Sequence, residues 1–149
     1  MKVIVTSDIH HNKKELENIK NNYKYDLFLD AGDSCLSPHD LCDVLTVKGN
    51  CDLHHYPSFR IIALNEKYKV YITHGHHDNL NTLKYKALEN NCNIVITGHT
   101  HIPMNIEEEG ILFLNPGSIT RPRGSSKPSF LILDVNDTIN VQKIEKLVL

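Results

Sequence analysis

Short apolar runs alternate with polar segments along the chain, a pattern typical of an α/β domain with many strands. In the first half, a helical segment at residues 12–19 follows the first strand, and a short helix at 38–44 precedes the third. This alternation of strand, helix and strand favours a mostly parallel arrangement. The strands predicted for this half span residues 3–5, 26–30 and 45–48.

The second half is richer in strands than the first. Its first two strands are predicted to form a hairpin with the turn at 65–67, and turn signals at 108–110 and 136–137 separate later strands. Such a chain is expected to form two facing sheets with helices outside. The basic and small-residue stretch 121–128 is the predicted mobile loop. The strands predicted for this half span residues 59–64, 69–73, 94–97, 104–107, 111–114, 130–134 and 138–144.

The helix predicted at residues 81–91 has the clearest pattern in the chain. Asn90-Asn91 supplies a stop signal at its carboxyl end. Four apolar side chains share one face at helical spacing: Leu80, Leu83, Ala87 and Leu88.

Length and charge limit the classes of function. A chain of 149 residues with 40% hydrophobic and 23% charged residues is predicted to form one domain over residues 1–149. The formal charge of −2 lacks the basic footprint of a general nucleic-acid binder. No apolar run approaches the roughly 20 residues needed to span a bilayer. The chain runs from Met1 directly into a strand without a signal-peptide layout, so we expect a cytoplasmic protein with no membrane partner.

The cysteines give no sign of a structural zinc site or a redox motif, because no two of them form a C-x-x-C pair. A two-disulfide framework matches their number, but a chain with a proper core and no export signal does not need one. The cysteines are Cys35, Cys42, Cys51 and Cys92.

Clusters of metal-binding side chains stand where predicted strands end. Carboxylate and amide oxygens mixed with imidazoles suit catalytic divalent metals better than a structural zinc. If the strand geometry persists past the first strand, Asp8 and His10 point to the same side. The clusters are Asp8-Ile9-His10, Gly32-Asp33, Gly49-Asn50-Cys51-Asp52, His74-Gly75-His76, Gly98-His99-Thr100-His101 and Asn115-Pro116-Gly117-Ser118.

In this order, Asp-x-His, Gly-Asp, Gly-Asn-x-Asp, His-Gly-His and Gly-His-Thr-His resemble the motifs of the calcineurin-like metallophosphoesterases. The short length, the Gly-Asn-Cys-Asp variant and the Asn-Pro-Gly-Ser segment resemble the small bacterial and archaeal phosphodiesterase branch of that family. The resemblance spans roughly residues 3–123. It implies a four-layer sandwich, in which two facing mixed β-sheets are flanked by helices, and a metal-dependent phosphodiesterase.

The resemblance also implies a dinuclear site. Two divalent ions would share a hydroxide that attacks a phosphodiester in line. Mn²⁺ is the expected metal, and Fe²⁺, Ni²⁺ and Zn²⁺ suit the same ligands. Carried over position by position, one ion takes Asp8, His10 and His101, the other takes Asn50, His74 and His99, and Asp33 bridges them.

Asn50, Cys51 and Asp52 are the candidate catalytic residues. In most of the family a histidine stands where this chain has Cys51, and it stabilises the transition state and helps protonate the leaving oxygen. A thiol hydrogen-bonds more weakly than an imidazolium. We hypothesise that Cys51 limits the enzyme to esters with good leaving groups; the alternative is that this side chain only fills space.

Three further side chains are candidates for substrate binding: His76, Arg121 and Arg123. A guanidinium suits phosphate oxygens, although solvated loop charge is the equal alternative for both arginines. The Asn115–Ser118 segment is expected to support the active site. The remaining histidines match no ligand position and are expected to be exposed: His11, His39, His54, His55 and His77.

Two other functions stay open at this point. A phosphomonoesterase would want more cationic groups near the motifs than this chain offers, which favours diesters. A non-catalytic scaffold on the same fold, like the retromer subunit that resembles this family, would not need every ligand position filled. The expected partner is a small phosphodiester substrate. Edge strands near the carboxyl terminus could also pair two chains into a homodimer or a higher homo-oligomer.

Overall fold

The computed structural model describes residues 1–146 as ten strands and two helices. Each helix is 10 residues long, and in the described part of the chain no helix is long and apolar enough to cross a membrane. In chain order the elements are β1 (Lys2–Thr6), α1 (Lys13–Asn22), β2 (Leu27–Asp30), β3 (Leu45–Thr46), β4 (Phe59–Ala63), β5 (Lys69–Thr73), α2 (Leu80–Glu89), β6 (Ile94–Ile96), β7 (Met104–Glu108), β8 (Ile111–Asn115), β9 (Ser129–Val135) and β10 (Ile139–Glu145).

The strands form two five-stranded mixed sheets, each built on three parallel strands. Sheet 1 has the order β10-β9-β1-β2-β3, in which β1, β2 and β3 are parallel and β9 and β10 are antiparallel additions. Sheet 2 has the order β4-β5-β6-β8-β7, in which β5, β6 and β8 are parallel and the edge strands β4 and β7 are antiparallel. The two mixed sheets and the β4–β5 hairpin confirm the sequence prediction.

The main core lies between the two sheets. On β1, Val3 and Val5 pack with Val70 and Ile72 of β5, whereas Ile4 joins a separate cluster on the other face of sheet 1. This alternation follows from the period of two along a strand. All five side chains are fully buried, so β1 is covered on both faces, as expected for a strand in a parallel set.

The helices cover the outer faces of the sheets. Leu16 and Ile19 of α1 pack with Ile4 on the outside of sheet 1. Leu83 and Ala87 of α2 pack on side chains of β5, β6 and β8 on the outside of sheet 2. The order helix, sheet, sheet, helix gives the four layers that the sequence predicts.

The short helix predicted at 38–44 is wrong, because this segment forms consecutive turns instead. Only Leu41 and Val44 of the segment are buried in the core. Their amides bond to carbonyls four and three residues back, as single turns that do not continue. Two buried side chains give too little apolar surface to hold a helix against a sheet.

The apolar face of α2 is narrower than its sequence suggests. Leu83 and Ala87 are buried, but Leu80 is 39% exposed and Leu88 is 53% exposed. Of the four apolar side chains on the predicted face, Leu83 and Ala87 belong to the buried cluster on β5, β6 and β8. Asn90 caps the helix at the predicted stop.

Candidate metal centre

The predicted ligand clusters lie in loops that leave the carboxyl ends of the parallel strands. Because parallel strands end at a common edge, these loops meet there. Hydrogen bonds join them: the His99 amide donates to Asp8 Oδ2 at 3.0 Å, and the Asp33 amide donates to Asp52 Oδ2 at 2.9 Å. Residues far apart in the sequence are thereby brought to one site.

The backbone at the site is left-handed at residues other than glycine. The φ angle is +54° at Asp8, +46° at His10, +58° at Asp33, +70° at His99 and +61° at His101. Strand geometry does not persist through Asp8 and His10, since β1 ends at Thr6, so the two side chains converge by another route than strand alternation. Each such residue costs roughly 1–3 kcal/mol, and clusters of them mark functional sites.

Asp8, His10 and His101 form the first ligand group. Asp8 Oδ1 lies 3.2 Å from His101 Nε2 and 3.8 Å from His10 Nε2, and the two imidazole Nε2 atoms are 3.4 Å apart. Donor atoms bound to one ion at roughly 2.1 Å lie about 3.0–3.5 Å apart. The three atoms therefore surround a space of the right size for a single cation.

The second group is built around His74. Its Nε2 lies 3.2 Å from Asp33 Oδ2 and 3.0 Å from Asn50 Oδ1, and His99 Nδ1 lies 3.2 Å from the same amide oxygen. Asp8 Oδ1 lies 3.8 Å from His74 Nε2, so it takes part in both groups. The bridging role of Asp33 stays a prediction, and Asp8 also stands between the two groups.

Asp8 carries the strongest sign that this is a cation site. Its Oδ2 accepts from Ser7 Oγ at 2.7 Å and from the His99 amide, whereas its buried Oδ1 has no hydrogen-bond partner within residues 1–146. A buried carboxylate oxygen without a partner is costly. The oxygen and nitrogen donors around it fit a divalent cation, which would satisfy that oxygen.

Two histidines are oriented by backbone carbonyls. His74 Nδ1 lies 2.7 Å from Ala31 O, and His101 Nδ1 lies 2.5 Å from Arg121 O. A carbonyl oxygen only accepts, so each Nδ1 donates. Each imidazole then directs Nε2 at the site, which is the usual arrangement for histidines that bind metals.

The charges at the site are coupled. Burial raises the pKa of Asp33, but hydrogen bonds from His74 and from the Cys51 amide outweigh it and bring the pKa to about 2. Burial lowers the pKa of His74, and the Asp33 carboxylate more than compensates, so that pKa is raised. Burial also lowers the pKa of His10.

The three side chains of the Asn50–Asp52 segment differ in exposure and in their contacts. Asn50 is exposed, and its Oδ1 faces His74 and His99. Cys51 is exposed, and burial together with the Asp33 charge raises the pKa of its thiol. Asp52 is buried and accepts from the amides of Asp33, Cys35 and Gly49. These bonds hold the two loops together, and the catalytic roles of the three residues remain predictions.

The three predicted substrate-binding residues border the ligand groups. The His76 ring centroid lies 5.4 Å from that of His74. Arg121 and Arg123 are exposed, and their charges contribute to lowering the pKa of His10 and of His99, after burial in each case. The histidines that match no ligand position are exposed, as predicted: His11, His39, His54, His55 and His77.

The Asn115–Ser118 segment supports the site, as predicted. Ser118 Oγ donates to Asp8 O at 2.7 Å and accepts from the amides of Thr120 and Arg121. Thr120 Oγ1 contacts Asp8 O and Ile9 O. Asn115 Nδ2 donates to Gly98 O at 3.0 Å. The bonds from Ser118 and Thr120 fix the left-handed turn at Asp8 from more than 100 residues away in the sequence.

Two contacts were not predicted. Ser7 binds the Asp8 carboxylate, and its position directly before the Asp-x-His motif is a signal that sequence reasoning could have used. Cys35 Sγ lies 4.0 Å from His10 Nδ1. Burial, followed by the charge of Asp52, raises the pKa of the Cys35 thiol to about 11. Nothing in its sequence neighbourhood indicates this placement.

Comparisons with known proteins agree with this geometry. A family model, the calcineurin-like phosphoesterase superfamily domain, matches residues 1–138. The chain is 32% identical over 151 residues to the probable metallophosphoesterase YsnB of Bacillus subtilis (strain 168), with 95% of this chain and 89% of that protein covered. It is 34% identical over 110 residues to the phosphodiesterase YfcE of Escherichia coli (strain K12), covering 66% of this chain and 55% of that protein.

One solved structure matches over nearly the whole chain. It is a conserved protein of Streptococcus pneumoniae TIGR4 described as a predicted phosphoesterase, with a TM-score of 0.88 and 34% sequence identity. The match covers 97% of this chain and 88% of that one. Its fold is therefore the fold of this chain.

Proposed function

Because the chain belongs to the calcineurin-like phosphoesterase superfamily, we propose that it is a phosphodiesterase that binds two divalent metal ions, Mn²⁺ first among them. The family uses divalent metals, and the two ligand groups of this chain supply oxygen and imidazole donors of the type that Mn²⁺ accepts. The proposed ligands are Asp8, His10, Asp33, Asn50, His74, His99 and His101.

The observation that carries the proposal is the Asp8 Oδ1 atom. It is buried without a hydrogen-bond partner among the described residues, and it takes part in both ligand groups. His101 Nε2 faces it at 3.2 Å. Because His101 Nδ1 donates to Arg121 O, its Nε2 presents a lone pair. Two electron-rich atoms this close favour a cation between them.

Divalent ions bound here would lower the pKa of a water molecule and neutralise charge on the phosphate oxygens. The chain's own residues hold the geometry. Asp52 clamps the loops that carry Asp33 and Asn50, and Ser118 fixes the backbone at Asp8. The fixed donors need little rearrangement during reaction, which is the main protein contribution to phosphoryl chemistry.

A diester is favoured over a monoester by the charge around the site. A dianionic monoester phosphate would call for several cationic side chains, and the two arginines near the site, Arg121 and Arg123, are both exposed. The relative YfcE is named a phosphodiesterase, which supports the same choice.

The test is hydrolysis of bis-p-nitrophenyl phosphate by chelator-stripped protein after Mn²⁺ is added back. We expect metal-dependent turnover that exceeds turnover of p-nitrophenyl phosphate, and loss of that turnover in Asp33→Ala. Asp137→Ala is the matched control and should behave as wild type, because Asp137 is exposed in the connection between β9 and β10. Two bound metals without turnover of any ester would instead support a non-catalytic scaffold.

A further inference from the structure

Two grooves lead away from the metal centre on either side of the loop at residues 75–78. The first, the α2 groove, has a volume of 470 Å³ and reaches the centre at His99. The second, the β4 groove, has a volume of 570 Å³ and reaches it at Asn50 and His76. Gly75 and Asp78 line both grooves, so this loop is the ridge between them.

The α2 groove is walled by aliphatic side chains. Those of α2 are Leu80 and Leu83, and the segment after β6 contributes Ile102, Pro103 and Met104. Leu80 is 39% exposed and Ile102 is 48% exposed. Large aliphatic side chains that stay in water beside a reaction centre indicate a surface meant to be covered by a ligand. The exposure of Leu80, which the helix pattern did not predict, is explained in this way.

The β4 groove has a different chemistry. Phe59 and Tyr71 stack with ring centroids 5.3 Å apart and an interplanar angle of 13°, and Phe59 remains 45% exposed. Lys48 and Lys86 also line this groove. Asp78 binds Lys86 at 2.7 Å and neutralises it, so the charge of Lys48 gives the groove its positive character. An exposed ring beside a cation suits a planar aromatic group.

We propose that the substrate is an unsymmetrical phosphodiester whose aliphatic substituent lies in the α2 groove and whose planar aromatic substituent lies in the β4 groove. The inference rests on the proposed phosphodiesterase function. A diester phosphorus carries two substituents that must leave the metal centre in different directions, and the two grooves provide two such directions. A monoester would use only one of them.

The test is a series of alkyl p-nitrophenyl phosphates with methyl, butyl and hexyl chains. The leaving group is constant, so differences in kcat/KM report binding of the alkyl chain. Each methylene that enters an apolar groove is expected to raise kcat/KM by up to about fourfold. We therefore expect at least about a tenfold rise from the methyl to the hexyl ester, since part of the chain stays in water.

Variants assign this dependence to the α2 groove. Ile102→Ser and Leu80→Ser should each flatten the dependence on chain length. Ile106→Ser and Leu88→Ser are the matched controls, because both side chains are exposed to a similar degree and neither lines the groove. Phe59→Ala should lower kcat/KM for all three esters equally, and Ile61→Ala, on the same strand outside the β4 groove, should not.

A binding measurement separates failure of the inference from failure of the proposed function. Methylphosphonate and hexylphosphonate contain no ester bond, so calorimetric titration of the metal-loaded protein reads binding alone. We expect hexylphosphonate to bind at least about tenfold more tightly, and Ile102→Ser to remove the difference. Equal affinities, or a preference that survives in Ile102→Ser and Leu80→Ser, would overturn the inference. Absence of turnover with every ester would overturn the proposed function instead. The titration would still show whether the α2 groove binds an alkyl chain.

Discussion

Asp8 and Asp30 stand near the carboxyl ends of the neighbouring parallel strands β1 and β2, and both side chains are fully buried. Asp30 is satisfied at both oxygens, by Thr6 Oγ1, Thr46 Oγ1 and the Gly32 amide. Asp8 is satisfied at Oδ2 only. The contrast teaches that burial alone does not identify a functional carboxylate. What identifies Asp8 is that its buried Oδ1 has no hydrogen-bond partner among the described residues and faces the lone pairs of other proposed ligands.

The largest expected effect comes from Asp8→Asn. The change keeps the shape of the side chain but removes the charge that both ligand groups use. Loss of a residue that only orients a ligand costs up to about a hundredfold, so loss of this ligand's charge should lower metal-dependent activity by at least about a hundredfold. In the metal-free protein the same change should raise the free energy of unfolding by about 1–3 kcal/mol, because a buried carboxylate oxygen without a hydrogen-bond partner is removed.

Activity assays and urea denaturation of the stripped protein measure the two effects of Asp8→Asn. Opposite signs for activity and stability are the signature of a carboxylate kept for a cation. A variant that loses activity and also stability without metal would show that Asp8 holds the fold, as Asp30 does.

The second prediction concerns Asn50, the exposed and neutral member of the ligand set. Asn50→Ala removes a donor from the group around His74 and leaves the Asp8, His10 and His101 group intact. Turnover of bis-p-nitrophenyl phosphate should fall by roughly ten- to a hundredfold, and the protein should retain one tightly bound ion. Elemental analysis after gel filtration measures the stoichiometry; retention of two ions would remove Asn50 from the ligand set.

Asp30 should affect stability and not metal binding. Burial raises its pKa to about 7, against opposing hydrogen bonds from Thr46, Thr6 and Gly32. Because the folded pKa lies above the unfolded value, the folded state holds the proton longer. The free energy of unfolding should therefore fall by roughly 4 kcal/mol as the pH rises from about 4 to 7, and stay level above 7.

Asp30→Asn should abolish that slope while the protein still binds two ions. Denaturant titrations at several pH values measure it, with Asp137→Asn as the exposed control. An unchanged slope in Asp30→Asn would assign the pH dependence to other groups and remove the contrast with Asp8.

Among the variants at the site, the smallest change in turnover of activated esters is expected at Cys51, which lies between the proposed ligand Asn50 and the buried Asp52. Its side chain is exposed, and burial together with the Asp33 charge raises the pKa of its thiol. Cys51→His should raise turnover of esters with poor leaving groups by up to about a hundredfold, which is the lower end of the rate gain from a positioned general acid. The turnover of activated esters should change less. If both kinds of ester react as before in a folded, metal-loaded variant, the thiol only fills space.

The sequence predicted that the candidate clusters stand after strands, because each cluster is local. Asp8, Asp33, His74 and His99 each follow a strand of apolar residues, and parallel strands necessarily end at one edge of a sheet. The strand pattern and the motif order therefore predict the two mixed sheets and the membership of the site. They do not predict how the side chains converge.

Convergence depends on contacts between distant residues. The left-handed turn at Asp8 is held by Ser118, 110 positions away. Cys35 Sγ lies 4.0 Å from His10 Nδ1, although 25 positions separate the two residues. No local pattern contains these pairings. The exposure of Leu80 is of the same kind, since helical spacing reports which residues share a face but not how much of that face the sheet covers.

The most direct test of the account is calorimetric titration of Mn²⁺ into chelator-stripped wild-type protein and Asp8→Asn. Because Asp8 Oδ1 takes part in both ligand groups, we expect two equivalents of Mn²⁺ to bind to the wild type and tight binding at both positions to disappear in the variant. Two equivalents bound by Asp8→Asn with the affinity of the wild type would contradict the account, because the buried, unpartnered oxygen would then not be a metal ligand.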